Sequence, residues 1–111
     1  MDTIPAFQKA YDFYKNLYLN LRQIPKQDRF TWGERCEETA LEILRDVAQA
    51  TYATSERKRS LLIQTKRNID MAKIYLRLGS DLRILDQKKY VLRQDELQEL
   101  GKMVGGWVKS I

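Results

Sequence analysis

Apolar residues recur every three or four positions along nearly the whole chain, and no long stretch alternates with the period of two typical of strands. Three breaks divide this pattern: the segment after Pro25, the segment near Ser55, and the polar run over residues 86–90. We therefore predict four helices, at about residues 4–24, 29–54, 55–85 and 94–111. Four amphipathic helices joined by short polar breaks predict an all-α fold, an antiparallel up-down-up-down four-helix bundle forming one domain over residues 1–111.

Polar residues stand where each helix is expected to begin. Thr3, Asp28 and Ser55 are the predicted N-caps of the first three helices, and Gln94 or Asp95 begins the fourth. Between the third and fourth helices, residues 86–90 are predicted to form a polar connection. In the second helix, Cys36 falls on the apolar stripe and is predicted to be a small buried residue.

The first helix carries an aromatic stripe at heptad-like spacing, which predicts that these residues face the core. Its members are Phe7, Tyr11, Tyr14, Tyr18 and Leu21.

The third helix carries two apolar sectors, which is more than one face of a monomeric bundle should need. The first sector comprises Met71, Tyr75, Leu78, Leu82 and Leu85, and the second comprises Leu62, Ile69, Ala72 and Leu76. Either this helix is the central one, or one sector lies in an interface. We predict a homo-oligomer held by the second sector and by the fourth helix.

Three glycines in the fourth helix call for an explanation, because glycine is a poor helix former. Gly101 and Gly105 are four residues apart beside the apolar stripe, so we predict close approach of a neighbouring helix there. Gly106 should tolerate alanine.

Charge is distributed unevenly along the chain. The net charge is +5, and residues 56–89 carry ten lysines and arginines against four acids. Within this segment Arg59, Lys66, Lys73 and Arg77 project within roughly 40° of one another on a helix. Arg83 projects elsewhere, toward the second apolar sector. These five residues are the candidate nucleic-acid contacts: phosphate binding is one interpretation of the stripe, and a solvated helix face is the other.

Missing residue types exclude most catalytic chemistry. The chain has no histidine and one cysteine, so it can hold neither a Ser-His-Asp triad nor a zinc site with imidazole ligands, and it has no internal disulfide. Glu34, Glu38 and Glu42 lack the Glu-x-x-His partners of a di-iron site and are predicted to form a solvated face. We predict no enzyme activity, cofactor or metal. The absence of a signal peptide pattern or apolar span predicts a cytoplasmic protein that does not bind membranes.

Several segments resemble the accessory variability determinant (Avd) proteins of diversity-generating retroelements. The matching features are the aromatic first helix, the turn Ile24-Pro25-Lys26, the motif Tyr75-Leu76-Arg77-Leu78, and the tail Gly101-Lys102-Met103-Val104-Gly105-Gly106-Trp107-Val108. The related four-helix proteins encoded in ribosomal RNA intervening sequences share the bundle.

The resemblance implies a non-enzymatic bundle that forms a pentameric barrel and binds a reverse transcriptase together with RNA or DNA. Such proteins support mutagenic cDNA synthesis and retrohoming. In the family, basic positions of the third helix matter for binding, and the resemblance places Arg77 on one and Lys73 on another, where lysine replaces arginine. The alternative is a protein-interaction bundle of the intervening-sequence type with no direct nucleic-acid role.

Overall fold

Residues 4–111 are described by the computed structural model, and they form four helices with no strand among them. Helix α1 spans Ile4–Leu21. Helix α2 is continuous over residues 26–50 and consists of Lys26–Asp28, a π-helical turn Arg29–Gly33, and Glu34–Ala50. Helix α3 spans Ser55–Asp81 and helix α4 spans Gln87–Lys109. The predicted four-helix, all-α architecture is confirmed.

Pairs of side chains that meet across the helices fix their directions. The Lys9 ammonium lies 2.7 Å from the Glu99 carboxylate, and the Asn16 amide donates to Glu96 at 2.7 Å, so α1 and α4 run antiparallel. The hydrogen bond between Lys9 and Glu99 raises the pKa of Lys9 and lowers the pKa of Glu99. Each helix packs against its two neighbours in a closed ring of four, which is the up-down-up-down arrangement.

The buried face of α1 shares Leu21 with the predicted stripe but is otherwise rotated away from it. The core residues are Ala6, Ala10, Phe13, Leu17 and Leu21, whereas the aromatic stripe turns outward, with Tyr11 46% exposed. The two alanines keep the buried face narrow, while the tyrosine hydroxyls find partners at the surface: Tyr14 donates to Glu37 at 3.2 Å, and Tyr18 accepts from Arg22 at 2.7 Å. The prediction of an aromatic core stripe was therefore wrong for Phe7, Tyr11 and Tyr18.

The N-caps of three helices differ from the prediction for local reasons. The N-cap of α2 is Pro25, and Asp28 lies within the helix. Thr54, not Ser55, caps α3, because its hydroxyl accepts the Arg57 N–H. Asp86 caps α4 by accepting the Lys89 N–H at 2.9 Å, so this helix begins seven residues before Gln94, and the supposed connection is its first turn. That hydrogen bond lowers the pKa of Asp86. The predicted cap Thr3 lies outside the described residues.

The two apolar sectors of α3 have opposite environments. The second sector, Leu62, Ile69, Ala72 and Leu76, is buried in the core of the single chain. It cannot hold an oligomer, so that part of the prediction was wrong. From the first sector, Met71, Leu78 and Leu82 are exposed, Leu82 by 59%, and Ile74 beside them is exposed as well. A single bundle therefore buries the second sector, whereas the first is divided: Leu85 is buried, Tyr75 is half-buried, and its other three side chains are exposed.

A tryptophan in the π-helical turn locks α2 against α3. The Trp32 indole N–H donates to the Tyr75 carbonyl at 2.7 Å, and its ring lies over Gly79, where a Cβ atom would stand 2.7 Å from ring atom Cε2. The extra residue of a π turn re-aims the side chains beside it. Elsewhere on α2, Cys36 is buried as predicted, and burial raises the pKa of its thiol to about 12.

Candidate nucleic-acid interface

The predicted basic stripe lies along one flank of α3, beside α4. Lys66 and Arg77 are exposed, while Lys73 is half-buried and donates from Nζ to the Gln98 side chain of α4 at 2.9 Å. Arg59 is exposed at the other end of the stripe and donates to the Ile111 carbonyl at 3.1 Å. These four residues, which we call the basic stripe, follow the line where α3 meets α4.

Few acids neutralise the basic stripe. The Arg77 guanidinium lies 4.0 Å from the Asp81 carboxylate, and both groups are largely exposed. An exposed pair of this kind contributes little and is screened by salt, so Arg77 remains available to a polyanion. Asp70 also lies on α3, four residues after Lys66, and both of these side chains are exposed to solvent.

A groove between α3 and α4 runs beside the stripe, with a volume of about 240 Å³. Its lining combines cationic, polar and small residues: Lys66, Ile69, Asp70, Lys73, Gln98, Gly101 and Lys102. Lys102 of α4 therefore adds a fifth cation next to the basic stripe. The angular positions of residues on α3 alone could not predict this, because it depends on how α3 packs against α4.

Arg83 does not belong to the basic stripe. Helix α3 ends at Asp81, and Arg83 follows in the left-handed conformation at φ 61°. Its exposed side chain lines a polar cavity at the end of the bundle together with Asn20, Gln23 and Lys89. The prediction that Arg83 projects toward the Leu62 sector was wrong, because it assumed helix through Leu85.

The close approach predicted at the α4 glycines is also absent from the described part of the chain. A Cβ atom at Gly101, Gly105 or Gly106 would meet nothing within 4 Å. Packing among the helices of residues 4–111 therefore does not require glycine at these three positions. The three glycines border open space.

A comparison with protein-family models decides the affiliation of the chain. The model described as bAvd-like matches residues 6–111, nearly the full length. This chain belongs to the bAvd-like family. The resemblance to Avd proteins drawn from the sequence is thereby confirmed at the level of the family.

A solved structure supports the fold of this bAvd-like chain independently. It is similar to the crystal structure of a protein of unknown function from the S23 ribosomal protein family of Bacteroides thetaiotaomicron, with a TM-score of 0.88. The two chains are 14% identical, and the match covers 98% of this chain and 99% of the other. At that identity the likeness shows the fold alone. No curated protein sequence matches the chain.

Two further features of the bAvd-like chain lie outside the basic stripe. An open groove between α2 and α3 has an apolar part, lined by Phe30, Trp32, Tyr75 and Leu78, and a polar part, lined by Thr31, Glu34, Arg35 and Glu38. Arg93 is a buried cation that donates to Glu96 at 2.6 Å and to Asn20 at 2.7 Å, which joins α4 to α1. Arg93 was not among the predicted site residues, because the fourth helix was predicted to begin at Gln94 or Asp95.

Neither a metal centre nor a membrane span is found within residues 4–111. No group of three carboxylate or thiol side chains there is arranged to hold a metal ion. None of the helices in that part of the chain is long and apolar enough to cross a bilayer.

Proposed function

We propose that this bAvd-like protein is a non-enzymatic accessory subunit of a retroelement reverse transcriptase. It binds the polymerase and nucleic acid through the basic stripe, and so supports mutagenic cDNA synthesis and retrohoming. The observation that carries the proposal is the stripe itself, four cations on one flank of α3 with a single weak ion pair to them among the described residues. Membership of the bAvd-like family supports the same role.

The ligand chemistry follows from the composition of this flank. Ammonium and guanidinium groups contact phosphates and release counterions, so binding is sequence-tolerant and weakens with salt. The described residues that line the groove beside the stripe include no aromatic side chain on which bases could stack. The sugar–phosphate backbone, rather than the bases, is therefore the bound element.

A salt titration with the double variant Lys73→Ala/Arg77→Ala tests nucleic-acid binding. Affinity for a labelled RNA and for a DNA duplex should fall, and the slope of log affinity against log salt should decrease by about 1 for each phosphate contact that the variant removes. The charge-matched control is Lys15→Ala/Arg35→Ala, which removes two exposed cations from α1 and α2. If both double variants bind as wild type, the basic stripe has no part in binding.

Polymerase binding needs its own measurement. Co-purification of wild type and of the Lys73→Ala/Arg77→Ala variant with a retroelement reverse transcriptase should show weaker capture of the variant. Full capture of the variant would separate the polymerase contact from the nucleic-acid contact.

The protein acts as a homo-oligomer, and a pentameric barrel is the form that the family implies. Exposed apolar side chains on two separate faces support self-association: Phe7, Tyr11, Tyr18 and Leu19 on α1, and Met71, Ile74, Leu78 and Leu82 on α3. Light scattering at micromolar concentration should give a mass several times 13.2 kDa. A stable monomer would contradict this part of the proposal.

The second candidate function is a protein-interaction bundle with no nucleic-acid role. The apolar part of the groove between α2 and α3 favours it, since Phe30 there is 59% exposed. Under this alternative Phe30→Ser would abolish polymerase capture, while RNA and DNA binding would be absent even in the wild-type protein at low salt.

A further inference from the structure

The glycines of α4 fall on two different sides of the helix. Gln94 donates to the Lys73 carbonyl at 3.2 Å, and Gln98 accepts from Lys73 Nζ, so both residues mark the side of α4 that faces α3. Gly101 and Gly105 continue this line at spacings of three and four residues, whereas Gly106 projects about 100° away from Gly105. Two of the three glycines therefore lie on the flank that borders the basic stripe.

The space over this flank is empty. Added Cβ atoms at Gly101 and Gly105 would contact nothing within 4 Å, so packing among the described residues does not require glycine there. Alanine or leucine would favour the helix more strongly. Glycine weakens the helix at these positions and is not required by packing, so its presence there needs another explanation. The residues that line the adjoining groove suggest one.

The groove is cationic on both walls. Lys66 and Lys73 stand on the α3 wall, Lys102 stands on the α4 side, and Gly101 lines the groove between them. Seven residues separate the two α3 lysines, or about 10 Å along the helix axis. Asp70, between them, is the one acid among the described lining residues. Three cations facing one acid leave a positive trough about 240 Å³ in volume.

We propose that Gly101 keeps this trough open, and that Gly105 extends the same open flank by one helical turn, so that a sugar–phosphate backbone lies between α3 and α4, contacted by Lys66, Lys73 and Lys102. The proposal rests on the proposed function and deepens it, because it assigns the path of the strand and adds Lys102 as a contact. A side chain at Gly101 would occupy the volume that the backbone needs. Asp70 opposes binding and limits its strength.

The decisive experiment separates stability from binding. The double variant Gly101→Leu/Gly105→Leu adds side chains to this flank, where added Cβ atoms meet no described residue within 4 Å. Leucine favours a helix more than glycine does, so the melting temperature of the variant should be about 3–6 °C above that of wild type. Its affinity for a labelled single-stranded RNA and for a DNA duplex should fall about tenfold at low salt. The comparison variant Gly106→Leu changes the same residue type outside the groove lining, one turn after Lys102, and should lower affinity much less than the double variant does.

Charge variants test the same path without altering its shape. Lys102→Ala should weaken binding and lower the salt slope by about 1, as expected when one phosphate contact is removed. Asp70→Asn should tighten binding, since it removes the acid from the trough. Both changes are at exposed positions and keep the proposal testable even if the double leucine variant fails to fold.

The possible failures are distinguishable. If Gly101→Leu/Gly105→Leu and Lys102→Ala bind as wild type while Lys73→Ala/Arg77→Ala does not, the trough is not the path, although the proposed function stands. If wild type binds neither RNA nor DNA, the proposed function fails as well. If the double leucine variant changes the mass measured by light scattering, the glycines pack against another copy of the chain, which overturns the proposal.

Discussion

Glycine plays opposite structural roles at two places in this bundle. At Gly79 of α3 a Cβ atom would lie 2.7 Å from the Trp32 ring atom Cε2, so the α2–α3 contact depends on the missing side chain. At Gly101, Gly105 and Gly106 of α4 the same atom would meet nothing within 4 Å. Gly79 is thus required by packing, and the three glycines of α4 are not required by packing among the described residues. Their presence points to something outside the single chain.

The largest effect should come from replacing the glycine that packing requires. Gly79→Ala forces the indole away and strains its hydrogen bond to Tyr75, for an overpacking cost of about 1–3 kcal/mol and a hydrogen-bond loss of about 1 kcal/mol. Better helix propensity offsets about 1 kcal/mol of this. We expect a net loss of about 1–3 kcal/mol in the free energy of unfolding, measured by urea denaturation.

A double-mutant cycle identifies the cause of that loss. In a Trp32→Leu background the ring is absent, so Gly79→Ala should cost less than half of what it costs in wild type. An equal cost in both backgrounds would show that Trp32 is not what excludes a side chain at position 79.

The fold could be predicted in outline because helical periodicity is a local property. The four helices, their order and the burial of Cys36 all follow from the spacing of apolar residues and from the polar breaks between the helices. The buried side of α1 could not be predicted, because Phe13 and Phe7 lie on different sides and only contact with the other helices selects between them. The start of α4 was missed because Asp86, which caps it, stands in a run that is polar in composition.

Only the residues of the candidate site that lie on a single helix could be predicted from the sequence. Arg59, Lys66, Lys73 and Arg77 share one flank of α3 because they share one helix, so their angular positions follow from the spacing. Lys102 and the groove belong to the pairing of α3 with α4. The requirement for glycine at position 79 likewise arises from a tryptophan 47 residues earlier in the sequence. No local motif marks it.

A smaller change in stability should come from position 83, where the left-handed backbone favours glycine but the residue is arginine. Arg83 adopts a φ of 61° just after α3, where Ile84 N–H donates to the Gly79 carbonyl at 2.9 Å and Arg83 N–H donates to the Ser80 carbonyl at 3.0 Å. This is the Schellman arrangement, in which the left-handed residue is usually glycine because a Cβ atom is strained there. Arg83→Gly should therefore raise the free energy of unfolding by about 0.5–1 kcal/mol, after the greater freedom of glycine in the unfolded chain is counted.

Arg83→Ala is the matched control, because it removes the same charge and keeps the strained Cβ atom. Urea denaturation should rank Arg83→Gly above Arg83→Ala in stability, whereas a salt titration of RNA binding should give the two variants equal affinities. If the two variants are equally stable, the left-handed backbone at this position carries no measurable strain. Equal binding below wild type would instead assign Arg83 a phosphate contact at the end of the bundle, separate from the basic stripe, because charge is the property that both variants lose.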